Sequence, residues 1–423
     1  MLRIYKQITG IAFFITITVS AFGQSTNSPY SMYGVGEMGD TDFGRSKAMG
    51  GVATPLYSPF HLNPENPASY TALGMNSFIL EIGATAKYLS LRAEDISYDE
   101  FNGNFSYLAI GFPITKWLKS GLGLMPLTSI GYDVMQQAED EYDGNMVITN
   151  YRGEGGITNF YFDNSVQILK SLSVGFKLSY LFGPLLKNTI STSFNDNSST
   201  SINRQDKANV SSFAYRGGLH FHKKLSEKIY TNIGVSYGFN SDLEATNRLF
   251  ITNTVSRTNG SFVDTIADQV INVGVLEIPQ SYSVGATVLI DRKIELGVDY
   301  SMSMWSTSNY FDDDPNFADA EKFAFGAEYI PEYSSLSFAK IVRYRVGTNF
   351  SKSYLTYEGE QLESYGFSFG LGIPLKRTQS VMNFAFGYKK RYLPSIEALT
   401  EHHYTFQLNM SLHAVWFKKR VWE

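Results

Sequence analysis

Six histidines and no cysteine leave this chain few ways to do covalent or metal chemistry. His220 and His222 stand two residues apart, so on a strand they share one face and could hold a metal ion together. No third ligand is identifiable beside them, and hydrogen bonding inside the protein is the simpler role. His402 and His403 are adjacent, which on a strand sends them to opposite faces and argues against joint ligation. Carboxylates gather in Glu139-Asp140-Glu141 with Asp143, and again in Asp312-Asp313-Asp314. Either run could bind Ca²⁺, or bridge lipopolysaccharide phosphates through divalent ions. Neither has the spacing of an ordered calcium loop, so solvated loops are expected. No nucleophile motif and no phosphate-binding loop stands out. The expectation is a chain that is no enzyme and needs no cofactor and no metal.

More informative are charges that recur at every second residue among apolar neighbours. In Lys293 to Met304, Ile294, Leu296, Val298, Tyr300, Met302 and Met304 fall on one face, and Lys293, Glu295, Gly297, Asp299, Ser301 and Ser303 on the other. Side chains of a strand alternate between faces, so this is a strand between an apolar and a polar medium. The same unit recurs near 78–91, 103–112, 120–133, 157–169, 171–184, 208–222, 228–243, 277–291, 293–306, 321–331, 339–353, 363–374, 380–391 and 401–414. An even run of about fourteen such strands with no long helical pattern predicts an all-β fold, a transmembrane antiparallel barrel. Parity places Glu81, Lys87, Lys177, Arg216, His220, Glu295, Asp299, Glu328, Arg343, Arg345 and Lys389 in the lumen. A Lys or Arg facing lipid at mid-bilayer costs about 2–4 kcal/mol, so the apolar face must be the outward one. Both signs are present, which lets the charges pair. A soluble β-sandwich would need no lumen of charges. Small inward residues, as in Ser364, Gly366, Ser368, Gly370 and Gly372, leave volume for water, a substrate or a plug.

Composition agrees. Only 18% of the 423 residues are charged, below the roughly 25% of soluble domains. The 15% of aromatic residues suits girdles at two membrane interfaces. A net charge of −5 and the lack of a basic stripe exclude a nucleic-acid partner. At the start, Arg3 and Lys6 precede an apolar run from Ile11 to Phe22 that ends in Ala21-Phe22-Gly23. Twelve residues are too few for a spanning helix, which needs about 20, so residues 1–23 read as a cleaved signal peptide. Connections alternate in length: Leu169 to Ser171 and the Asp291-Arg292 turn are short, whereas Val134 to Gly156, Lys187 to Lys207 and Glu244 to Leu276 are long. Outer-membrane barrels keep short turns on the periplasmic side, which would place both mature termini there. Lys187 to Lys207 reads as a polar loop, and Glu244 to Leu276 as a hairpin rising above the membrane. Its Leu249, Phe250, Ile251, Phe262, Val263 and Ile266 could otherwise form an apolar pocket.

Residues 24–77 break the alternation with paired glycines and several prolines, which exclude a long helix. Such a segment is best housed inside the barrel, formed by 78–423, where lumen side chains can bond its backbone. Gly44-Arg45, Ala48, Gly50-Gly51 and then Asn66-Pro67-Ala68, just before the first strand, resemble the FadL/TodX family of outer-membrane transporters of hydrophobic compounds. Ser28-Pro29-Tyr30-Ser31-x-Tyr33-Gly34-x-Gly36 and Trp416-Phe417-Lys418-Lys419-Arg420 are similar to its Bacteroidota branch. The resemblance implies that this stretch is a hatch plugging a fourteen-stranded barrel. A second match is Gly121-Leu122-Gly123-Leu124-Met125-Pro126 in the third strand. A proline there deletes a ladder hydrogen bond and favours a bulge or kink. Family members are thought to release substrate sideways at such a kink, so Gly121, Gly123 and Pro126 are candidates for a lateral gate.

The resemblance implies passive transport of a hydrophobic, fatty-acid-like molecule, with outer-membrane lipid and lipopolysaccharide around the barrel. The polar stretch 187–207 and the charged lumen suit a different role equally well. That role is a non-transporting barrel subunit of an outer-membrane machine for barrel assembly or surface export, with outer-membrane or periplasmic protein partners.

Overall fold

The structure is a computed structural model describing residues 28–39, 42–93, 96–139, 144–195, 198–271, 275–308, 317–357, 359–375 and 379–415. The expected signal peptide, the run Asp312–Asp314, all of the other acidic run but Glu139, and the basic end at Lys418–Arg420 lie outside the described residues. In chain order the strands are β1 (Glu37–Met38), β2 (Ser77–Ala93), β3 (Ile96–Pro113), β4 (Leu118–Pro126), β5 (Thr128–Glu139), β6 (Met146–Gly155) and β7 (Thr158–Leu169). There follow β8 (Leu172–Asn195), β9 (Ser198–Lys224), β10 (Ile229–Gly238), β11 (Ser241–Arg257), β12 (Gly260–Ile271), β13 (Val275–Ile278) and β14 (Ser281–Ile290). The last are β15 (Ile294–Ser303), β16 (Ala320–Tyr329), β17 (Arg343–Tyr357), β18 (Glu360–Pro374), β19 (Val381–Leu393) and β20 (Ile396–Val415). No described helix is long and apolar enough to cross a membrane.

Fourteen of these strands close a ring of antiparallel neighbours. The ring runs β2, β3, β4, β7, β8, β9, β10, β14, β15, β16, β17, β18, β19 and β20, and β20 pairs back onto β2 from Ser77↔Val415 to Ala93↔Leu399. Pairing around the ring satisfies most of the wall's backbone, as a lipid-facing sheet requires. Each expected strand has its counterpart in this ring. The faces follow the expected parity: Leu296, Val298, Phe367 and Phe369 are exposed outward, while Glu295, Glu328, Arg343 and Arg345 are buried inward. Six turns lie at the end where β2 starts and β20 stops, called the terminal end below. The one between β14 and β15 holds Asp291 and Arg292 at φ 52° and 56°, the left-handed pair of a two-residue hairpin turn.

The opposite, distal end differs from expectation. Lys187 to Lys207 is not a loop: β8 and β9 run on as a ladder from Lys187↔Asp206 to Asn195↔Ser198. Its Ser, Thr and Asn residues alternate without an apolar face, so two-residue periodicity is invisible in hydrophobicity although the backbone pairs. Val134 to Gly156 likewise contains the β5–β6 hairpin. β11 and β12 form the hairpin expected within Glu244 to Leu276. Together β5, β6, β8, β9, β11 and β12 build a six-stranded sheet standing beyond the ring.

The strand expected over 120–133 is broken. β4 stops at Pro126, opposite Thr158 of β7. The amides of Leu127 and Thr128 then both donate to the Ile157 carbonyl, at 2.7 and 3.1 Å, which makes a bulge. The neighbouring strands bend at the same level, at Gly155-Gly156 and at Gly183, all with positive φ. Beyond the bend β5 no longer pairs with β3. Its free edge takes up β1 instead, as Glu37↔Ser129 and Met38↔Thr128. Pairing between β3 and β4 ends at Leu108↔Leu124, so from Tyr107 to Ile96 that edge of β3 faces no described strand.

Candidate functional site: the lumen and its N-terminal segment

The described part of the stretch before β2, residues 28–76 apart from 40 and 41, meets inward side chains all around the ring. It begins high: the Ser28 hydroxyl donates to Glu401 at 2.6 Å, fourteen residues up β20 from Val415. Tyr30 and Val35 join an apolar cluster with Ile130, Leu181, Leu243 and Trp305. The segment then turns toward the terminal end, where Phe43 stacks on Tyr107 with ring centroids 3.6 Å apart. Phe43, Leu62, Tyr70 and Leu73 pack there with Ile79, Met125 and Tyr161.

The inward charges are largely met by this segment rather than by one another. Arg45, on the short helix α1 (Gly44–Lys47), is buried and reaches Glu295 at 2.5 Å and Glu328 at 3.2 Å. Glu328 also accepts from Arg345 at 2.6 Å, and Arg345 continues to Asn383 at 2.7 Å. Asp299 accepts from the amides of Ala53 and Thr54, each at 2.7 Å. Arg216 pairs with Glu65 at 2.6 Å, and Lys87 with Glu37 at 3.3 Å. Glu81 accepts from the Leu62 amide at 3.0 Å and from the Ser411 hydroxyl. Lys177 donates to the Pro64 carbonyl. Arg343 donates to His61 Nε2 at 3.2 Å, because a guanidinium has no acceptor. His61 is thereby fixed with its proton on Nδ1, which points to Ser411 Oγ at 3.2 Å and Glu81 Oε1 at 3.4 Å. Burial first, and then the guanidiniums of Arg343, Arg345 and Arg45, hold the His61 imidazole well below its ordinary range.

Glycine spacing in the wall explains how the segment fits. Asn66 caps a 3-10 turn (Pro67–Ala72), with Oδ1 accepting from the Ala68 amide at 3.1 Å. Its Nδ2 donates to Thr54 O at 3.1 Å and to Leu219 O of β9 at 3.0 Å. A Cβ at Gly175 would overlap the backbone of Pro67 and Ala68; at Gly218, the Asn66 side chain; at Gly234, the Thr54 carbonyl. Gly175 and Gly218 are register partners, so Asn66-Pro67-Ala68 sits in a groove cut across β8, β9 and β10. On the other side Gly297, Gly326 and Gly347 form one row across β15, β16 and β17. A Cβ there would overlap Val52, Met49 and Gly50 in turn. Gly50 and Gly51 lie at φ +72° and +89°. The Gly50 amide donates to Ser368 at 2.9 Å, and Asn349 donates to the Gly50 carbonyl at 3.0 Å. The Gly44 amide donates to Tyr107 at 2.8 Å.

Two cavities remain above the segment, of about 310 and 220 Å³. They share Glu37, Asp42, Lys322, Lys389 and Arg391, while Met38 with Trp305 and Leu355 in the larger, and with Phe105 in the smaller, makes both mixed in character. The smaller is also lined by Asn104, Ser106, Pro126 and Thr128, at the discontinuity between β3 and β5. Gly121 and Gly123 are paired on both sides in the intact wall and covered by Tyr70 and Tyr161, below that discontinuity. His220 Nε2 donates to the Pro55 carbonyl at 3.2 Å, and both His220 and His222 stack on Tyr57 with centroids 4.6 Å away. Among the described residues no cluster of three metal-ligating side chains exists.

A family model described as BamG matches residues 4–423. The chain belongs to the BamG family. The barrel of this BamG-family chain also has solved likenesses. The Pseudomonas putida toluene transporter TodX superposes with TM-score 0.57 at 13% identity, covering 90% of this chain and 100% of that one. The Ralstonia pickettii toluene transporter TbuX gives 0.55 at 14%, covering 88% and 98%. A Pseudomonas aeruginosa FadL homologue gives 0.58 at 10%, covering 88% and 98%. At these identities the likeness establishes a FadL-type fold. No curated protein matches the chain.

Sequence parity identified the inward charges but missed their partners. Glu37, His61 and Glu65 sit in a stretch without periodicity, and no spacing rule connects them to the strands. Arg391, which pairs with Glu37 at 2.6 Å and Glu401 at 3.1 Å, was also missed. Its inward parity relative to Lys389 was the available signal.

Proposed function

We propose that this BamG-family chain is a non-transporting barrel subunit of an outer-membrane machine for barrel assembly or surface export, in a Gram-negative bacterium. The observation that carries the reading is the filling of the lumen. The segment 28–76 acts here as a permanent hatch, its buried charges matched one by one and its backbone seated in glycine grooves. The cavities left above it mix apolar side chains with the charges of Glu37, Asp42, Lys322, Lys389 and Arg391, which a greasy molecule would have to desolvate on entry. The distal end instead presents a broad Ser/Thr/Asn-rich sheet, a surface suited to protein contact. The BamG family assignment is compatible with such partners. The terminal end, with its short turns, is the periplasmic side in this reading. Purification from the native membrane in gentle detergent, followed by mass spectrometry, tests it. Stoichiometric co-purifying proteins are expected; a lone barrel holding lipid in its lumen sinks the reading.

A second reading, passive transport of hydrophobic small molecules, is favoured by one observation. The unpaired edge of β3 and the smaller cavity at Pro126 lie together, where a sideways exit would open in this reading. TodX and TbuX, which share the fold, are described as toluene transporters. Replacing Pro126 by Val and measuring uptake of fatty acids and aromatic hydrocarbons checks this gate; unchanged uptake removes it.

A further inference from the structure

The distal sheet ends on β12, and no described strand pairs with its outer edge. Natural edge strands are kept short or guarded by Lys or Pro. β12 is twelve residues long and contains neither, and its one irregularity is a bulge at Ile266. Phe262, Val263, Ile266 and Val270 are 58% to 76% exposed. They occupy both faces of the strand. From the register, Val263 and Val270 fall on one face, Phe262 on the other and Ile266 at the bulge. Apolar side chains bare on both faces of an open edge are what a paired strand would half-cover on each side. The only charges on β12 are Asp264 and Asp268, and Asp268 is bonded to Arg248 at 2.8 Å. Self-pairing of two copies would bring the Asp264 of each, with no β12 cation, onto one seam, and like charges across a ladder are destabilising.

We infer that β12 is a docking edge for an extended segment of a different protein. That segment adds as a strand and carries Lys or Arg opposite Asp264 with β-branched or aromatic residues between. This is strand addition, in which backbone bonds give affinity and alternate side chains give specificity. The inference rests on the machine-subunit reading above.

The test uses the full-length tagged chain purified from its native membrane. Two variants are compared with wild type: Val263→Lys with Asp264→Lys, which installs the guard that natural edges use, and Ile266→Pro, which removes an edge amide. Heat-modifiable migration on gels reports barrel closure, which does not involve this hairpin. Hydrogen exchange of the 260–271 amides is measured in the wild-type complex and in the lone barrel. The expected result is slowed exchange in the complex and about tenfold less partner recovered with both variants, the worth of a few cross-strand pairs. Partner recovered equally from both variants, with exchange unchanged on binding, overturns the docking edge and leaves the subunit reading standing. Crosslinks joining β12 to β12 assign the edge to a second copy and overturn it as well. No partner on the wild-type barrel overturns both readings at once.

Discussion

Arg45 is the charge on which the seating of the N-terminal segment turns. Its guanidinium is the described cation bonded to Glu295, whereas Glu328 keeps Arg345 if Arg45 is lost. Removing one member of a buried pair costs about 3–5 kcal/mol because the other stays charged and dry. Arg45→Met is therefore expected to release the segment, read as new sites of limited proteolysis within 28–76. Adding Glu295→Gln should restore much of the protection, since the orphan charge is then gone, and a double-mutant cycle measures the coupling. If Arg45→Met alone leaves proteolysis unchanged, the network does not hold the segment. His61 adds a pH dependence. Its folded value is depressed, so once the segment is released the imidazole returns to about 6.5 and binds more protons than when seated. Seating is then strongest above that value and is lost as pH falls below it, by up to about 1.4 kcal/mol per unit. Protease sensitivity followed from about pH 7.5 to 5 should rise in wild type and rise less in His61→Gln. Among these residues the strand members were readable, because parity alone sends Glu295, Glu328 and Arg343 inward. Their partners were not, because which lumen residue meets which segment residue depends on strand tilt and on where the ring closes.

Neighbouring glycines on one element test the groove directly. Gly217 and Gly218 are adjacent on β9, yet a Cβ at Gly217 meets nothing within 4 Å, while one at Gly218 meets Asn66 and Pro67. Gly218→Val should cost roughly 1–3 kcal/mol of overpacking and unseat the Asn66-Pro67-Ala68 corner. Gly217→Val, facing outward on the same strand, should behave like wild type in a thermal melt and in proteolysis. Equal effects would mean that the glycines serve strand formation and not the fit. The pair also marks the limit of reading elements from pattern. Strands with one apolar face are legible from Phe78 onward, but the β8–β9 extension, polar on both faces, carries no such signal and reads as a loop. The break after Pro126 was half legible. Proline signals a bulge, but no spacing in the sequence announces that β5 pairs with Glu37 and Met38 and not with β3.

At the scale of the whole molecule, a ring of fourteen strands encloses a lumen, and the question is what the segment 28–76 does for it. Fourteen-stranded closure was legible because each strand repeats the same two-residue signal, whereas the stretch before it is irregular, and its glycines, prolines and family resemblance are what suggest a place in the lumen. In this structure the segment and the wall share their polar partners, so each should be affected differently by separation. The ring pairing persists without residues 24–76, since β2 to β20 pair among themselves. The segment, deprived of the glycine grooves and of Glu295, Glu328 and Asp299, has no fold of its own to fall back on. Deleting residues 24–76 should thus give a heat-modifiable barrel that still inserts into bilayers. It should show discrete, ohmic conductance where the intact chain shows none. The bared inward face holds both signs of charge, Glu81, Glu295, Asp299 and Glu328 against Lys87, Arg216, Arg343 and Arg345, so weak ion selectivity should accompany that conductance. Planar-bilayer recording of both proteins decides the matter. A deletion barrel as silent as the full chain would show that the wall itself collapses inward and that the segment fills space without closing a pore.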